Sequence, residues 1–328
     1  MPSASSGHLR PFEIRRDLKA VADLVEQCFA DTLDVDGQRY LSQMRSAARN
    51  PGFLRWAGAV VEQASMPLSG YVWEEDGRIV GNLSLIPFHV PRGRLYLIAN
   101  VAVHPSYRRR GIARSLTARA IEHARSRGAI STWLHVREDN EGAVNLYRSL
   151  GFSDVTVRTT WHSTPDWVHS HLSNHWRDES ASASRYQFGA RTAGVWPMQK
   201  AWLLRLYPPE LSWHLPVDYQ ALGSGFLNAV YRFFSGGALK QWVIYSQGRP
   251  GGFLTWKPTG GYADTLWLAI PEIFDESAVR VLLEHGRRHL SSLRPLALDF
   301  PAGIADQAIQ NAGFHIHQTL IWMTIQFR

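Results

Sequence analysis

One short segment limits the fold of this chain more than any other: an apolar strand that leads through a basic loop into a helix. The strand is predicted over residues 97–103 and the helix over residues 111–127, with Arg108-Arg109-Arg110 in the loop between them. The first turn of a helix has unpaired N–H groups and the positive end of the helix dipole, so it favours a phosphate group. Gly111 and Ala113 lack side chains that would keep a phosphate from the backbone. The segment therefore predicts a pyrophosphate site.

The elements around this segment indicate a domain of the α/β class with a mixed sheet. We expect a short strand and an amphipathic helix over residues 12–30, with Asp17 as the N-cap. A hairpin follows, because Asp76-Gly77 tolerates the positive φ of a tight turn. Three more elements are expected: a strand over residues 130–136, a helix over residues 140–150 and a strand over residues 155–161. This order of strands and helices is typical of a mixed α/β sheet domain.

The second half of the chain repeats parts of the first. Residues 71–83 align without gaps with residues 242–254, and residues 143–152 have a counterpart in residues 305–314. Two matches in the same order indicate an internal duplication. We therefore expect two related domains, over residues 1–163 and 196–328. The stretch between them, residues 164–195, is rich in Ser, His, Asp and Arg and reads as a connector.

Composition excludes several other classes of protein. Hydrophobic residues make up 45% and charged residues 19% of the chain, which is ordinary for a protein with a folded core. No apolar run approaches the ~20 residues that a membrane span needs. The polar start of the chain does not resemble a signal peptide, and the single cysteine, Cys28, cannot form an intramolecular disulfide. We expect a soluble cytoplasmic protein with no membrane partner and no metal.

The net charge of +7 raises the possibility of a nucleic-acid partner. Arginine is nevertheless spread along the chain, and the sequence has no basic run interleaved with aromatic residues. A nucleotide cofactor with several phosphates explains the one dense cluster, Arg108 to Arg110, more simply. Nucleic acid is therefore an unlikely partner by this prediction.

Three stretches together resemble one known family. Residues 101–113, Val-Ala-Val-His-Pro-Ser-Tyr-Arg-Arg-Arg-Gly-Ile-Ala, are similar to motif A of the GNAT N-acetyltransferases, whose core is Arg/Gln-x-x-Gly-x-Gly/Ala. Residues 132–140 and 143–152 are similar to motif B, with its Asn, its Tyr and its terminal Gly-Phe. The resemblance covers roughly residues 10–162. It implies acetyl-CoA as the cosubstrate and transfer of an acetyl group to a primary amine by direct attack in a ternary complex.

The resemblance also implies roles for particular residues. Those that would bind acetyl-CoA are Val101, Ala102 and Val103 along the pantetheine arm, Arg108, Arg109, Arg110, Gly111, Ile112, Ala113 and Arg114 at the pyrophosphate, and Asn140 near the diverging strand ends. Tyr147 matches the tyrosine that protonates the departing thiolate. Each has a structural alternative: Tyr147 as a core aromatic, Asn140 as a helix N-cap, which is compatible with cofactor contact, and the arginines as a solvated loop.

The general base is less well defined. Many relatives use a glutamate, at one of two positions that here hold Ala99 and His135. His135 is chemically able, since an imidazole titrates near neutral pH, although it could equally be a structural residue. His104 and Glu74 or Glu75 are weaker candidates. Ordered water could also remove the proton, so the base stays open.

The second domain has the expected elements without the motif. Its acidic loop, residues 272–277, contains no Arg-x-x-Gly-x-Gly/Ala, and Ile309 stands at the position of Tyr147. We expect a degenerate GNAT-like domain that does not bind acetyl-CoA and that is structural or helps to form the acceptor site. The layout resembles tandem GNAT proteins such as mycothiol synthase. The acceptor, a small-molecule amine or a peptide or protein N-terminus, and the oligomeric state stay open, and a non-catalytic acyl-CoA sensor is the alternative function.

Overall fold

The computed structural model divides the chain into two compact units. Unit 1 comprises Met1–Thr156 and Leu320–Arg328, and unit 2 comprises Val157–Thr319. The residues described are 7–30, 35–60, 66–163, 185–189, 192–223, 239–259, 262–290 and 294–327. Of the predicted connector, residues 164–184, 190 and 191 lie outside the described residues, and residues 186–189 form a strand of unit 2.

Unit 1 is built from strands and helices in alternating groups. In chain order they are β1 (His8–Pro11), α1 (Ile14–Phe29), α2 (Val35–Ala48), α3 (Pro51–Val60), β2 (Ser69–Glu75), β3 (Arg78–Val90), β4 (Gly93–Val103), a 3₁₀ turn (Pro105–Tyr107), α4 (Ile112–Ser126), β5 (Ser131–Arg137), α5 (Glu141–Ser149) and the start of β6 (Ser153–Ser163). The sheet has the order β1-β2-β3-β4-β5, followed by the last strand of the chain. Neighbouring strands are antiparallel except for β4 and β5, which are parallel.

Helix α1 begins earlier than the sequence suggested. Its N-cap is Glu13, and Asp17 lies in the first turn, so the prediction of Asp17 as the N-cap is wrong. The carboxylate of Asp17 instead accepts hydrogen bonds from the backbone N–H of Glu13 and from Arg10. A carboxylate three or four residues inside the helix can satisfy a donor at its start in this way, as in a capping box.

Unit 2 repeats the same kinds of element. They are the rest of β6, β7 (Tyr186–Gly189), α6 (Trp196–Leu206), α7 (Tyr219–Leu222), β8 (Lys240–Ser246), β9 (Arg249–Lys257), β10 (Asp264–Ala269), α8 (Glu276–His289), β11 (Leu296–Pro301), α9 (Asp306–Asn311) and the first part of β12 (Phe314–Gln326). From β6 the strand order is β6-β11-β10-β9-β8-β7, and β10 and β11 are parallel. The predicted mixed α/β architecture is confirmed in both units.

The two hairpins of the internal repeat correspond closely. The β2–β3 turn has Asp76 at φ 50° and Gly77 at φ 71°, and the β8–β9 turn has Gln247 at φ 50° and Gly248 at φ 74°. Each hairpin also has a register shift, between Trp73 and Glu74 in one and at the aligned pair of the other, Ile244 and Tyr245. The predicted hairpin and the predicted repeat are therefore visible in the backbone.

The boundaries of the units depend on the last strand of each half. The end of β12, residues 320–326, pairs antiparallel with β5 and belongs to unit 1. Residues 158–162 of β6 pair antiparallel with β11 and belong to unit 2. Each of these strands covers backbone donors and acceptors that would otherwise form an open sheet edge. The units consequently differ from the predicted ranges 1–163 and 196–328.

None of the described helices combines the length and the apolar character of a membrane span.

Candidate active site

Strands β4 and β5 separate partway along their length. Their parallel pairing runs from Leu95–Ser131 to Ile98–Leu134, whereas β4 continues to Val103 and β5 to Arg137. A register shift in the β3–β4 ladder falls at the same level, where Asn100 has a φ of 52°. Such a bulge bends a strand away from its neighbour. The result is a wedge between the two strands, with the backbone of Val101, Ala102 and Val103 along one side.

Asn100 is a candidate site residue that the sequence reasoning missed. Its side chain Nδ2 donates to the hydroxyl of Tyr40 at 3.1 Å and to Oγ of Ser84 at 3.3 Å. Its carbonyl oxygen accepts a hydrogen bond of 3.0 Å from Nδ2 of Asn82. Asparagine tolerates the left-handed conformation better than other non-glycine residues. An asparagine inside an otherwise apolar strand was the available signal for the bulge.

The N-terminus of α4 is open. Its N-cap is Gly111, with φ 80° and no side chain that caps the helix. An added Cβ at Gly111 would meet no atom within 4 Å, so the approach to the first-turn N–H groups is clear. Ile112 is buried and anchors this turn in the core, while Ala113 is partly exposed. The geometry fits a pyrophosphate at the helix start.

The four arginines around this helix start are held differently. Arg108 donates from Nε to the carbonyl of Val103 at 3.2 Å, and Arg114 donates to Oγ of Ser149 at 2.7 Å. Arg110 bonds both carboxylate oxygens of Glu75 at 3.0 Å and lies 5.2 Å from the ring centre of Tyr107. Arg109 is exposed, has a φ of 64°, and has no ion-pair partner within the described part of the chain. Arg109 is therefore the cation most available to a phosphate.

Asn140 and Tyr147 both lie on α5 or at its start. Asn140 is the N-cap, and its Oδ1 accepts from the N–H of Ala143 at 3.1 Å, which confirms the predicted capping role. Tyr147 is 6% exposed, on the same helix face as Val144, with its ring edge against Phe152. Burial raises the pKa of Tyr147 to about 12. The phenol is therefore protonated at neutral pH, as a general acid must be.

His135 lies on β5, one residue beyond the last pair with β4. Its ring stacks on Trp322 of β12, with centroids 3.9 Å apart and an interplanar angle of 24°. The two residues are direct partners in the β5–β12 register. This packing gives His135 a structural role, and a role as general base stays a prediction.

The weaker candidates for the base are engaged in other contacts. Glu74 is bonded by Arg10 and Arg16, and the hydrogen bond from Arg10 lowers its pKa. Glu75 is bonded by Arg110. His104 accepts from the N–H of Ser106 through Nδ1. Ala99 is paired with Ser84, so a small residue stands where many relatives have a glutamate.

The equivalent place in unit 2 is closed by side chains. Pairing of β10 with β11 ends at Leu266–Leu298, and β10 has no bulge against β9. Beyond that point the N–H of Leu268 donates to the hydroxyl of Tyr207 at 3.3 Å, and Arg205 donates to the carbonyl of Ile270 at 2.6 Å. Two backbone groups in and just after β10 therefore have partners within unit 2.

The start of α8 is closed as well. The carboxylate of Asp275 caps the helix by accepting from the N–H of Ser277 at 2.9 Å, and it also accepts from the hydroxyl of Tyr186 at 2.7 Å. Burial raises the pKa of Asp275, but these hydrogen bonds outweigh it and the pKa falls below its usual value. A carboxylate at this position would repel a phosphate. Within the described ranges, no three His, Cys, Asp or Glu side chains are arranged to hold a metal ion.

Comparison with known proteins agrees with this geometry. Residues 29–152 match the model of the Acetyltransferase (GNAT) family. Over these residues, which lie in unit 1, the chain is similar to the GNAT acetyltransferases.

Two groups of curated relatives match parts of the chain. Over 67 residues it is 42% identical to the ribosomal protein bS18-alanine N-acetyltransferase of Escherichia coli K12, which is 20% of this chain and 45% of that protein. Over 157 residues it is 31% identical to the mycothiol acetyltransferase of Thermomonospora curvata, which is 48% of each protein. The chain thus spans about half the length of the curated relatives it matches.

Solved structures extend the similarity of fold to the whole chain. A GCN5-related N-acetyltransferase from Sphaerobacter thermophilus aligns with a TM-score of 0.52 at 13% identity, over 98% of this chain and 96% of that one. A GCN5-related glucosamine N-acetyltransferase region of a fungal multi-domain β-N-acetylglucosaminidase aligns with a TM-score of 0.57 at 13% identity. The alignment covers 99% of this chain and 38% of that one. At these identities the likeness concerns the fold alone.

Proposed function

We propose that the protein is an acetyl-CoA-dependent N-acetyltransferase whose transfer site lies in unit 1. The observation that carries this proposal is the open start of α4. Its N-cap is Gly111, which has no capping side chain and which follows an arginine loop after a bulged strand. The GNAT family match over residues 29–152 supports the same conclusion.

The residues of unit 1 fit the parts of acetyl-CoA. The backbone of Val101, Ala102 and Val103 would hold the pantetheine arm along the wedge. The pyrophosphate would lie against the backbone and side chains of residues 108–114, with Arg109 as its nearest uncommitted cation. Asn140 would contact the cofactor while it caps α5. Acetyl-CoA would supply the thioester that the acceptor amine attacks.

Tyr147 would be the general acid. When the amine nitrogen bonds to the acyl carbon, the carbon–sulfur bond breaks and the thiolate takes a proton. Burial raises the pKa of this phenol to about 12, so it carries its proton at neutral pH and can donate it to the sulfur as the carbon–sulfur bond breaks. The amine loses its own proton to His135 or to water, and Asn100, Tyr40 and Ser84 provide a polar wall at the bulge.

The acceptor would be a primary amine. One relative is named for an alanine of a ribosomal protein and another for mycothiol, so both a protein N-terminus and a small-molecule amine are candidates. Unit 2 would be a degenerate GNAT-like domain that is structural or helps to form the acceptor site. Its filled slot at Leu268 and capped helix at Asp275 argue against a second acetyl-CoA.

An acceptor screen tests this function. Free CoA thiol is followed while acetyl-CoA is incubated with the protein and a panel of peptides and small amines. We expect at least one amine to accelerate release above hydrolysis, and Tyr147→Phe to slow transfer by about 100-fold or more with unchanged acetyl-CoA affinity. The matched control is Tyr207→Phe, a buried tyrosine of unit 2 that should leave transfer within about twofold.

The screen also separates the alternative function. A protein that binds acetyl-CoA but gives no amine-dependent release, with or without Tyr147, would be a non-catalytic acyl-CoA sensor. The small residue at Ala99, in place of a base, is the observation that favours this alternative.

A further inference from the structure

A cavity of about 400 Å³ in unit 1 has no role in the proposed acetyl transfer. It opens between α1, from Arg16 to Gln27, and the β2–β3 turn, and His104 lines it just after β4. Neither Tyr147 nor any residue of 108–114 lines it. Its volume lies in the range of about 300–1,000 Å³ that small-molecule sites have.

The acidic groups at the floor of this cavity are already neutralised. Arg10 donates to both oxygens of Asp17, at 2.6 and 2.9 Å, and to Glu74 at 2.6 Å. Arg16 donates to both oxygens of Glu74 at 3.0 Å. At the rim, Asp23 pairs with Arg45 at 2.9 Å. These pairs fix the floor and leave little negative charge to attract a cation.

Two donors at the rim lack an acceptor. Arg78 is exposed, and in the described part of the chain its guanidinium has no hydrogen-bond or ion-pair partner. His104 accepts from the N–H of Ser106 through Nδ1, so the proton of its neutral ring is on Nε2. An arginine fork and a ring N–H on one cavity match the lone pairs of a carboxylate or phosphate.

We propose that this cavity binds a small metabolite through an oxyanion group, with Arg78 as the charge partner and His104 as the second donor. His104 also caps the turn Pro105–Tyr107, which leads to the arginine loop. A ligand here would therefore contact the N-cap of the turn that joins Val103 to the arginine loop, without occupying the proposed acetyl-CoA site.

The experiment is a calorimetric titration with inorganic phosphate and, separately, with citrate. CoA is present at saturation so that the loop of residues 108–114 is filled. We expect saturable binding of at least one probe, with one site per chain. Arg78→Gln should weaken it by about tenfold or more, because it removes the charged fork. The matched control is Arg249→Gln, at the aligned position of the β8–β9 hairpin, which should leave the affinity within about twofold.

The two probes distinguish a phosphate-bearing from a carboxylate-bearing ligand, and binding of either supports the proposal. The proposal would be overturned if neither probe showed saturable binding. It would also be overturned if Arg78→Gln and Arg249→Gln lost the same affinity. Both arginines are exposed, so circular dichroism and thermal unfolding should show unchanged folding. If CoA itself fails to bind, the proposed acetyl transfer fails instead. In that case the same titration is run without CoA, and the proposal for the cavity is decided by whether Arg78→Gln weakens binding of the probe.

Discussion

The segment from β4 to α4 and the segment from β10 to α8 occupy the same place in two related halves of the chain. In each, a strand pairs in parallel with its neighbour, the pairing stops partway, and a helix follows. The first segment has a bulge, an arginine loop and an uncapped helix start. The second has no bulge, an acidic loop and a helix start capped by Asp275. The same frame thus holds opposite charges at the point where we propose that the pyrophosphate binds, in keeping with the rule that function depends on the site rather than the fold.

The two segments also differ in the residue that follows the parallel-paired region of the neighbouring strand. In β5 it is His135, which stacks on Trp322, and in β11 it is Asp299. Asp299 is bonded by the fully buried Arg158, whose guanidinium also donates to the carbonyl of Leu206 at 2.9 Å and lies 5.1 Å from the ring centre of Tyr207. Burial raises the pKa of Asp299, although Arg158 opposes this. Unit 2 has therefore replaced an open slot by a closed ionic cluster.

The largest effect that we expect comes from breaking this cluster. Arg158→Met should lower the free energy of unfolding of unit 2 by about 3 kcal/mol, because it leaves Asp299 without its partner. Denaturant unfolding followed by tryptophan fluorescence measures the change. Acetyl-CoA affinity should be unaffected under native conditions.

The double variant Arg158→Met with Asp299→Leu is the control for this prediction. Removing both charges together should recover most of the lost stability, since no uncompensated charge is left. A single variant that loses less than about 1 kcal/mol would show that the cluster does not stabilise unit 2.

A smaller effect should follow from removing the cap of α8. Asp275→Ala should lower the free energy of unfolding by about 1 kcal/mol, because the N–H of Ser277 loses its acceptor. Asp275→Ser, which can still cap, should lose less. Neither variant should gain acetyl-CoA binding in unit 2, because Tyr207 and Arg205 still occupy the backbone groups of β10. A second bound equivalent in Asp275→Ala would contradict this account.

Local signals in the sequence were enough to predict much of unit 1. The Asp-Gly turn, the glycines that end the helices and the strand before Arg108 each have a short-range physical cause, and those elements form close to the expected residues. The N-cap role of Asn140 was also predictable, because only the first residues of the helix decide it. The acidic loop before α8 led to the prediction that the second domain does not bind acetyl-CoA, and this stays a prediction.

Long-range pairing could not be predicted in this way. Nothing local to residues 320–326 shows that they pair with β5, about 190 residues away, because register depends on which sheet edge is left to cover. The stacking of His135 on Trp322 follows from that pairing and was equally hidden. The bulge at Asn100 depends on hydrogen bonds to Tyr40 and Ser84, which lie on other elements.

Calorimetry with acetyl-CoA tests the central claim most directly, using two glycines at opposite ends of α4. Gly111 and Gly128 both have positive φ, 80° and 66°, and at neither would an added Cβ meet an atom within 4 Å. Replacing either with alanine should cost a similar 1–2 kcal/mol of stability, roughly the strain of a left-handed alanine.

The wild type should bind one acetyl-CoA per chain. Gly111→Ala should weaken that binding by about tenfold or more, since its methyl group would stand between the phosphates and the first-turn N–H groups, while Gly128→Ala should leave it within about twofold. Two equivalents in the wild type, or equal losses in the two variants, would contradict the assignment of acetyl-CoA to the start of α4.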